Sequence, residues 1–386
     1  MTAKPVKLAI INRSFWPVYP VIGEALLRFA EQTVSSGNSV TVIMQDHADI
    51  RKKLAEAERG KGVRFYPAKA WTNSASSVLL RAFDAIFFMA WVLAVLIWVR
   101  PGKVYVSTDP PVVVPFIVML YCRLFRAEYI YHLQDIHPEA ANVVIPVNQW
   151  LYRILLKMDA LTMRKAKCLI TITGQMADEI RSRSGTTVPV HILDNPAVSF
   201  DNIDLSKPKI EGFSFCGNAG RLQRIPLILD AIEAYFDQGG QLIFVFAGGG
   251  IYSDRLKSFS DRFEQFHYAG LVTPVDAAQI NADYSWALLP IEDEVTRYAF
   301  PSKSSSYVFS GAHILAVCGE QTGVAQWIKK HGVGVVAEPN VEALVKIFFD
   351  IERDAIEANS NDQSREILKQ KLKFEVFVEK LFGIVR

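Results

Sequence analysis

Cysteine is scarce in this chain, with four in 386 residues and none in a C-x-x-C pair. Cys122, Cys168, Cys216 and Cys318 each lie in or beside an apolar run. They read as buried thiols in a reducing compartment, which excludes a disulfide framework and a cysteine-held zinc. An excess of one charge sign is also missing. Lys and Arg number 42 against 40 Asp and Glu, a net charge of +2, without the basic stripe of a general nucleic-acid binder. The uncharged run Ala85 to Val99, between Asp84 and Arg100, stops short of the ~20 apolar residues of a spanning helix. The start, Met-Thr-Ala-Lys-Pro-Val-Lys, leads into a strand with no visible secretory leader. No D-x-D pair stands in a loop suited to a divalent cation, and His and Cys do not cluster as ligands would. No metal and no cofactor are expected.

Half of the residues are hydrophobic, and the length exceeds one ordinary core, so two domains are expected. Apolar strands alternate with helical stretches throughout. Val6 to Asn12, Ser39 to Met44, Val63 to Tyr66, Lys103 to Ser107, Tyr129 to Leu133, Cys168 to Thr173 and Val190 to Leu193 are predicted strands. Pro196 to Gly212 lacks apolar periodicity and reads as a linker. Strands resume at Phe213 to Cys216, Gln241 to Phe246, Phe266 to Ala269, Trp286 to Pro290, Ile314 to Val317 and Gly334 to Ala337. Such alternation implies parallel sheets with crossover helices. The predicted limits are 1–198 and 199–368, with a C-terminal helix over 369–386 that crosses back to the first domain.

The segment Phe213 to Arg224 carries the most chemistry. A short strand ends in Gly217-Asn218-Ala219-Gly220, then Arg221, then a helix over Pro226 to Tyr235. Glycines allow a tight turn and close approach of a ligand. Unpaired amides at the helix start favour an anion, and an arginine fork suits phosphate oxygens. The combination is read as a diphosphate grip.

Other motifs follow in order. Ser107-Thr108-Asp109-Pro110-Pro111 closes one strand, and Gln134-Asp135-Ile136-His137-Pro138-Glu139 closes the next. Leu193-Asp194-Asn195-Pro196 leaves the first half. Beyond Gly217 to Arg221 come Phe246-Ala247-Gly248-Gly249-Gly250, Ala269-Gly270-Leu271-Val272, Ala282-Asp283-Tyr284, and Pro301-Ser302-Lys303 with Ser306, Gly311 and Ala316. The ordered set resembles the GT-B-fold glycosyltransferases of family 4, especially their bacterial surface-polysaccharide branch, over nearly the whole chain.

That resemblance implies an α/β fold of GT-B type, two doubly wound Rossmann-like domains facing across a cleft. It implies a retaining, metal-independent transfer from a nucleoside-diphosphate sugar, UDP-sugar favoured, to a lipid-linked oligosaccharide of O-antigen, capsule or exopolysaccharide. The implied location is peripheral, on the cytoplasmic face of the inner membrane. Donor contacts carry over to Gly217, Asn218, Gly220, Arg221, Gly248, Gly270, Val272, Ser302, Lys303, Ser304 and Ser306. Catalytic roles carry over to Arg221, Lys303, Asp135 and Glu139, and acceptor contacts to Phe15, Trp16, Tyr19, His132 and His137. Arg221 and Lys303, with backbone amides of Gly220 and Ser302 to Ser304, would stabilise the departing diphosphate. The chain departs from the family at the paired glutamates spaced E-x7-E, where Tyr298 and Ser306 stand, and in the first loop, where only Gly23 remains of a glycine pair. Arg224 is a candidate for the second charge after the donor loop.

Several residues keep two readings. Asp135 either orients a hydroxyl or caps the turn before Pro138. Glu139 either acts in the site or serves a helix dipole. His132 is either a site residue or a core histidine. Lys303 faces either phosphate or Glu292 and Asp293, and the run Glu292-Asp293-Glu294 reads as solvated loop. Ala85 to Val99 is either a buried helix or one dipping into a membrane surface, where Trp91 and Trp98 would sit. Arg153, Lys157, Arg164, Lys165 and Lys167 either face anionic headgroups or form a solvated helix face. An epimerase on the same fold and a non-catalytic nucleotide-sugar-binding subunit are the competing functions.

Overall fold

The computed structural model describes residues 6–19, 21–71, 78–144, 146–197, 200, 202–356 and 362–386. In chain order the first half contains β1 (Lys7–Ile11), α1 (Ile22–Ser35), β2 (Ser39–Asp46), α2 (Ile50–Glu56), β3 (Arg64–Lys69), α3 (Val78–Val99) and β4 (Lys103–Ser107). It continues with α4 (Val113–Phe125), β5 (Glu128–His132), α5 (Glu139–Val144), α6 (Gln149–Lys165), β6 (Cys168–Thr171), α7 (Gly174–Ser184) and β7 (Val190–Ile192). The second half contains β8 (Ile210–Cys216), α8 (Ile225–Asp237), β9 (Ile243–Ala247), α9 (Ser253–Ser260), β10 (Phe266–Gly270), α10 (Pro274–Asp283) and β11 (Tyr284–Pro290). It closes with α11 (Lys303–Ser310), β12 (His313–Val317), α12 (Gly323–His331), β13 (Gly334–Ala337), α13 (Val341–Glu352), α14 (Asp362–Lys371) and α15 (Phe374–Val385).

These elements form two compact units, Met1–Pro196 with Phe374–Arg386, and Ala197–Lys373. Each is built on one parallel sheet, of order β3-β2-β1-β4-β5-β6-β7 in the first and β10-β9-β8-β11-β12-β13 in the second. Helices cover both faces of such sheets, so the central strands read as continuous apolar runs. Every residue of β4 and of β11 is buried.

Local chemistry sets the helix limits. Thr173, Thr322 and Asn340 accept backbone N–H bonds at the starts of α7, α12 and α13. Gly185, Gly311 and Gly332 end α7, α11 and α12 in the left-handed conformation. The second core gathers Phe213, Phe215, Phe244, Phe246 and Phe266 under Tyr235 and Phe348. The first gathers Leu8, Ile10, Phe29, Tyr105 and Ile130, and α15 adds Phe374, Phe377 and Leu381 to it. Lys103 anchors the end of α15, donating from Nζ to the carbonyls of Val385 at 2.7 Å and Arg386 at 2.8 Å.

The apolar run proves amphipathic in use. Phe88, Val92 and Leu96 of α3 are buried, whereas Phe83, Ile86, Ile97 and Trp98 are exposed. Trp91 turns inward and donates to the Tyr66 carbonyl at 3.2 Å. Among the described residues no helix is long and apolar enough to cross a membrane. The stretch read as a linker ends sooner than expected, because β8 begins at Ile210, where Gly212 fits against the Ile243 backbone.

Candidate functional site

In the second unit the strand order reverses between β8 and β11. Folds of this kind leave room for ligands outside the strand ends at that reversal. The loops there continue the sheet's pairing. Gly217 N–H donates to the Ala247 carbonyl at 2.9 Å, Ala219 N–H to Gly249 at 2.9 Å, and Gly248 N–H to Gly270 at 2.6 Å. At Gly248, with φ 125°, any Cβ would overlap the Gly217 carbonyl. A Cβ on Gly217, at φ 152°, would lie 2.6 Å from Lys303 Nζ. The glycines thus leave bare backbone over a buried ammonium.

Lys303 opens α11. Its Nζ is enclosed, has no hydrogen-bond partner, and lies 4.0 Å from the Phe215 ring centre. Burial pulls its pKa from 10.5 down to about 8. The neighbouring thiol of Cys216 is pushed up to about 12 by burial, so it supplies no counter-charge at neutral pH. An enclosed cation without an anion is costly, and the geometry is that of a group awaiting one. Arg221 is exposed and has no ion-pair partner among the described residues.

The loops depart from the sequence reading in several details. The backbone amide of Gly220 was expected to face the diphosphate, but Gln223 Oε1 takes it at 3.2 Å across the 3-10 turn Arg221–Gln223, while α8 begins at Ile225, one residue before the start read at Pro226. Arg224 does not serve as a second donor charge. Its φ of 46° turns it toward the loop after β11, where it donates to the Ile291 carbonyl at 2.9 Å and pairs with Glu292 at 3.0 Å and Asp293 at 2.9 Å. Glu292 and Asp293 stay 40% and 45% exposed but are held by Arg224, and Asp293 also accepts the Gly319 N–H at 3.0 Å. Ser304 is buried, and both its hydroxyl and its N–H bond to the Pro301 carbonyl, at 2.8 and 3.2 Å. Its amide is spent on the turn instead of on a ligand. Asn218 and Ser302 are exposed, and Val272, Gly270 and Ser306 are half-buried.

In the first unit the order reverses between β1 and β4. The loop after β1 supplies Arg13, whose Nε bonds Asp109 Oδ1 at 3.0 Å, while Ser14 N–H donates to Oδ2 at 2.7 Å. Thr108 Oγ1 accepts the N–H groups of Gln134 and Asp135 at 3.2 and 3.3 Å. The Asp135 carboxyl has no hydrogen-bond partner among the described residues. Burial first, and the nearby Asp109 second, raise its pKa from 3.8 to about 6. His137 Nδ1 is buried without a partner, and burial lowers that ring to about 4. Asp109 and His47, the latter with its ring 6.3 Å from Tyr19, also stand at this mouth. His47 was not named from sequence, and Asp109 stood in the Ser107 to Pro111 motif without a role of its own. The signal for Asp109 was its place at the end of a strand.

Glu139, His132 and Phe15 are placed differently from their assigned roles. Glu139 is buried and held by Arg183 at 2.9 Å, and Arg183 also holds Asp159, which accepts from Tyr131 at 2.8 Å. His132 is fully enclosed between Tyr105, whose hydroxyl is 2.5 Å from Nδ1, and Phe377. Burial lowers its pKa to about 3, so it is a neutral core histidine. Phe15 is buried edge-on to Phe65. Trp16 is half-buried against the core, and Tyr19 is exposed.

Residues 22–196 match the family model described as a glycosyl transferase 4-like domain. The probable glycosyltransferase WbjE of Pseudomonas aeruginosa is 23% identical over 304 residues, covering 74% of this chain and 75% of that protein. The crystal structure of Anabaena Alr3699/HepE in complex with UDP aligns with a TM-score of 0.67 at 13% identity, over 98% of this chain and 99% of that one. WaaG, a glycosyltransferase involved in lipopolysaccharide biosynthesis, aligns at 0.62 and 13% identity over 98% and 99% of the two chains.

Proposed function

We propose that this GT-B-fold glycosyltransferase belongs to family 4 and moves a sugar from a nucleoside diphosphate, UDP favoured, to a lipid-linked glycan with retention of anomeric configuration. The observation that carries the donor assignment is the unpaired, enclosed Lys303 ammonium beneath the bare backbone of Gly217. A diphosphate gives that charge its partner, and it gives exposed Arg221 a bidentate one. As the glycosidic bond breaks, negative charge grows on the leaving diphosphate. Cations already in place stabilise that charge without reorganising. UDP is favoured by analogy with Alr3699/HepE, whose structures hold UDP and UDP-glucose.

Metal independence is supported by those two cations. Asp135 is assigned the acceptor hydroxyl, which its unpartnered carboxylate would accept and aim. Retention follows if the acceptor approaches on the face the diphosphate leaves, with diphosphate oxygen taking the hydroxyl proton.

A peripheral place on an inner membrane, in surface-polysaccharide synthesis, fits the outer face of the first unit. Helices α3, α4 and α6 pack side by side and expose Trp98, Ile86, Leu124 and Trp150. Arg123, Arg126, Arg153 and Lys157 are exposed on or beside the same helices. Interfacial tryptophans with a basic rim suit an anionic bilayer surface. Two of the expected basic residues are spent elsewhere, Arg164 on the Ser184 carbonyl and Lys167 on Glu128.

The test is a thermal-shift screen with UDP-, GDP-, dTDP- and CMP-sugars in EDTA. A ligand that binds only the folded protein raises its melting temperature. A shift with one base, lost in Arg221→Ala, is expected. No shift with any of the four would sink the donor assignment.

A further inference from the structure

Arg183 has no part in the reaction as assigned above, yet its guanidinium reaches the loop that carries Asp135. It stands in the last turn of α7 with its side chain only 10% exposed. One nitrogen, Nη1, donates to both carboxylate oxygens of Glu139, at 3.0 and 2.9 Å, and to the backbone carbonyl of His137 at 3.0 Å. The other, Nη2, holds Asp159 on α6. Asp159 is itself fixed from β5 by the Tyr131 hydroxyl at 2.8 Å, and Arg164 of α6 donates to the Ser184 carbonyl at the end of α7 at 2.7 Å. The guanidinium thus bridges a fixed frame of β5, α6 and α7 to the loop between β5 and α5. That loop is pinned at its other end by Thr108 Oγ1, which takes the N–H groups of Gln134 and Asp135. Asp135 lies at the first anchor, two residues before the second.

A buried ion pair is weak evidence of a stability device, because apolar side chains of similar volume often do as well or better. What they cannot do is hold a backbone carbonyl and two carboxylates in one geometry. We propose that Arg183 is a positioning residue for sugar transfer, and that by bridging Asp159 to Glu139 and the His137 carbonyl it holds the β5–α5 loop with the Asp135 carboxyl set for the acceptor hydroxyl. This rests on the reading of Asp135 as the hydroxyl-orienting group. Glu139 then acts through Arg183, as the handle of the loop, and touches neither donor nor acceptor. The arrangement needs the planar fork of arginine. A lysine ammonium keeps the charge, but it is a single point and cannot bridge carboxylates held by two separate nitrogens of a guanidinium.

The experiment compares UDP release by the full chain from a mixture of UDP-glucose, UDP-galactose and UDP-N-acetylglucosamine, with a bacterial lipid extract as acceptor, well below the melting temperature of each variant. UDP affinity is measured by calorimetry on the same proteins. Arg183→Lys should release UDP about tenfold to a hundredfold more slowly, as misplacement of a reacting group does, with UDP affinity unchanged. Glu139→Ala should be slowed in the same way, and Glu139→Gln, which still accepts from Nη1, should recover most of that loss. A purely structural Arg183 would lower the melting temperature in Arg183→Lys and leave release by the folded protein at the parental rate, and that result overturns the proposal. Equal rates in Glu139→Ala and Glu139→Gln overturn it as well, and this pair decides should Arg183→Lys fail to fold. Asp135→Asn tests the underlying reading separately. Release as fast there as in the parent removes Asp135 from the reaction and the proposal with it, whereas slow release there with a parental rate in Arg183→Lys removes the proposal alone.

Discussion

Replacing Lys303 by methionine should make the unliganded protein more stable while abolishing donor binding. Burial draws the ammonium from 10.5 to about 8. At about 1.4 kcal/mol per pH unit, holding that charge costs roughly 3 kcal/mol at neutral pH. The Phe215 face 4.0 Å away returns about 1–2 kcal/mol as a cation–π contact. The net cost is then on the order of 1–2 kcal/mol. The folded-state value lies below the unfolded one, so the cost is fully present below pH 8 and fades as pH rises from 8 to 10.5. Methionine fills similar space without charge. Differential scanning fluorimetry at pH 7 should show a rise of roughly 2–4 °C per kcal/mol gained, shrinking toward pH 10. The same variant should lose the melting shift induced by nucleotide sugar. A variant that melts lower than the parent, or that keeps the full donor-induced shift, would refute the reading of Lys303 as an anion-ready cation.

Three further outcomes are expected. Arg183→Leu strands Glu139 and Asp159 in the interior, and urea unfolding should show a loss of about 3–5 kcal/mol, as when one member of a buried pair is removed. Gly248→Ala forces a Cβ onto the Gly217 carbonyl, so nucleotide-sugar binding measured by calorimetry should fall below detection while the far-UV spectrum is kept. Trp98→Glu combined with Leu124→Glu places charge on side chains 81% and 76% exposed, and should abolish flotation with anionic vesicles without changing UDP affinity. Unchanged flotation would remove the membrane assignment.

The sheet architecture was legible because its signals are local. β4 and β11 announce themselves as apolar runs, and Gly217, Gly248 and Gly270 mark where strands end. The family resemblance rested on the same short motifs. What was not legible depends on partners distant in sequence. Glu139 looks like a free acid after a proline, but Arg183, 44 residues on, claims it. Arg224 and Arg221 look interchangeable, yet Asp293, 69 residues on, takes the first and leaves the second exposed. His132 alternates with apolar neighbours, and only the return of α15 with Phe377 shows that it is enclosed. His313, for which the sequence offers no reason, accepts Arg365 at 3.0 Å and packs on Trp286.

The central claim is that the loops after β8, with Lys303, grip a nucleoside diphosphate. Calorimetric titration of UDP into the purified chain, in EDTA, tests it most directly. The account requires saturable binding that weakens by about tenfold or more in Arg221→Ala, as loss of a charged hydrogen bond does, and that disappears in Lys303→Met. Binding of equal strength in all three proteins would place the nucleotide elsewhere and contradict the account.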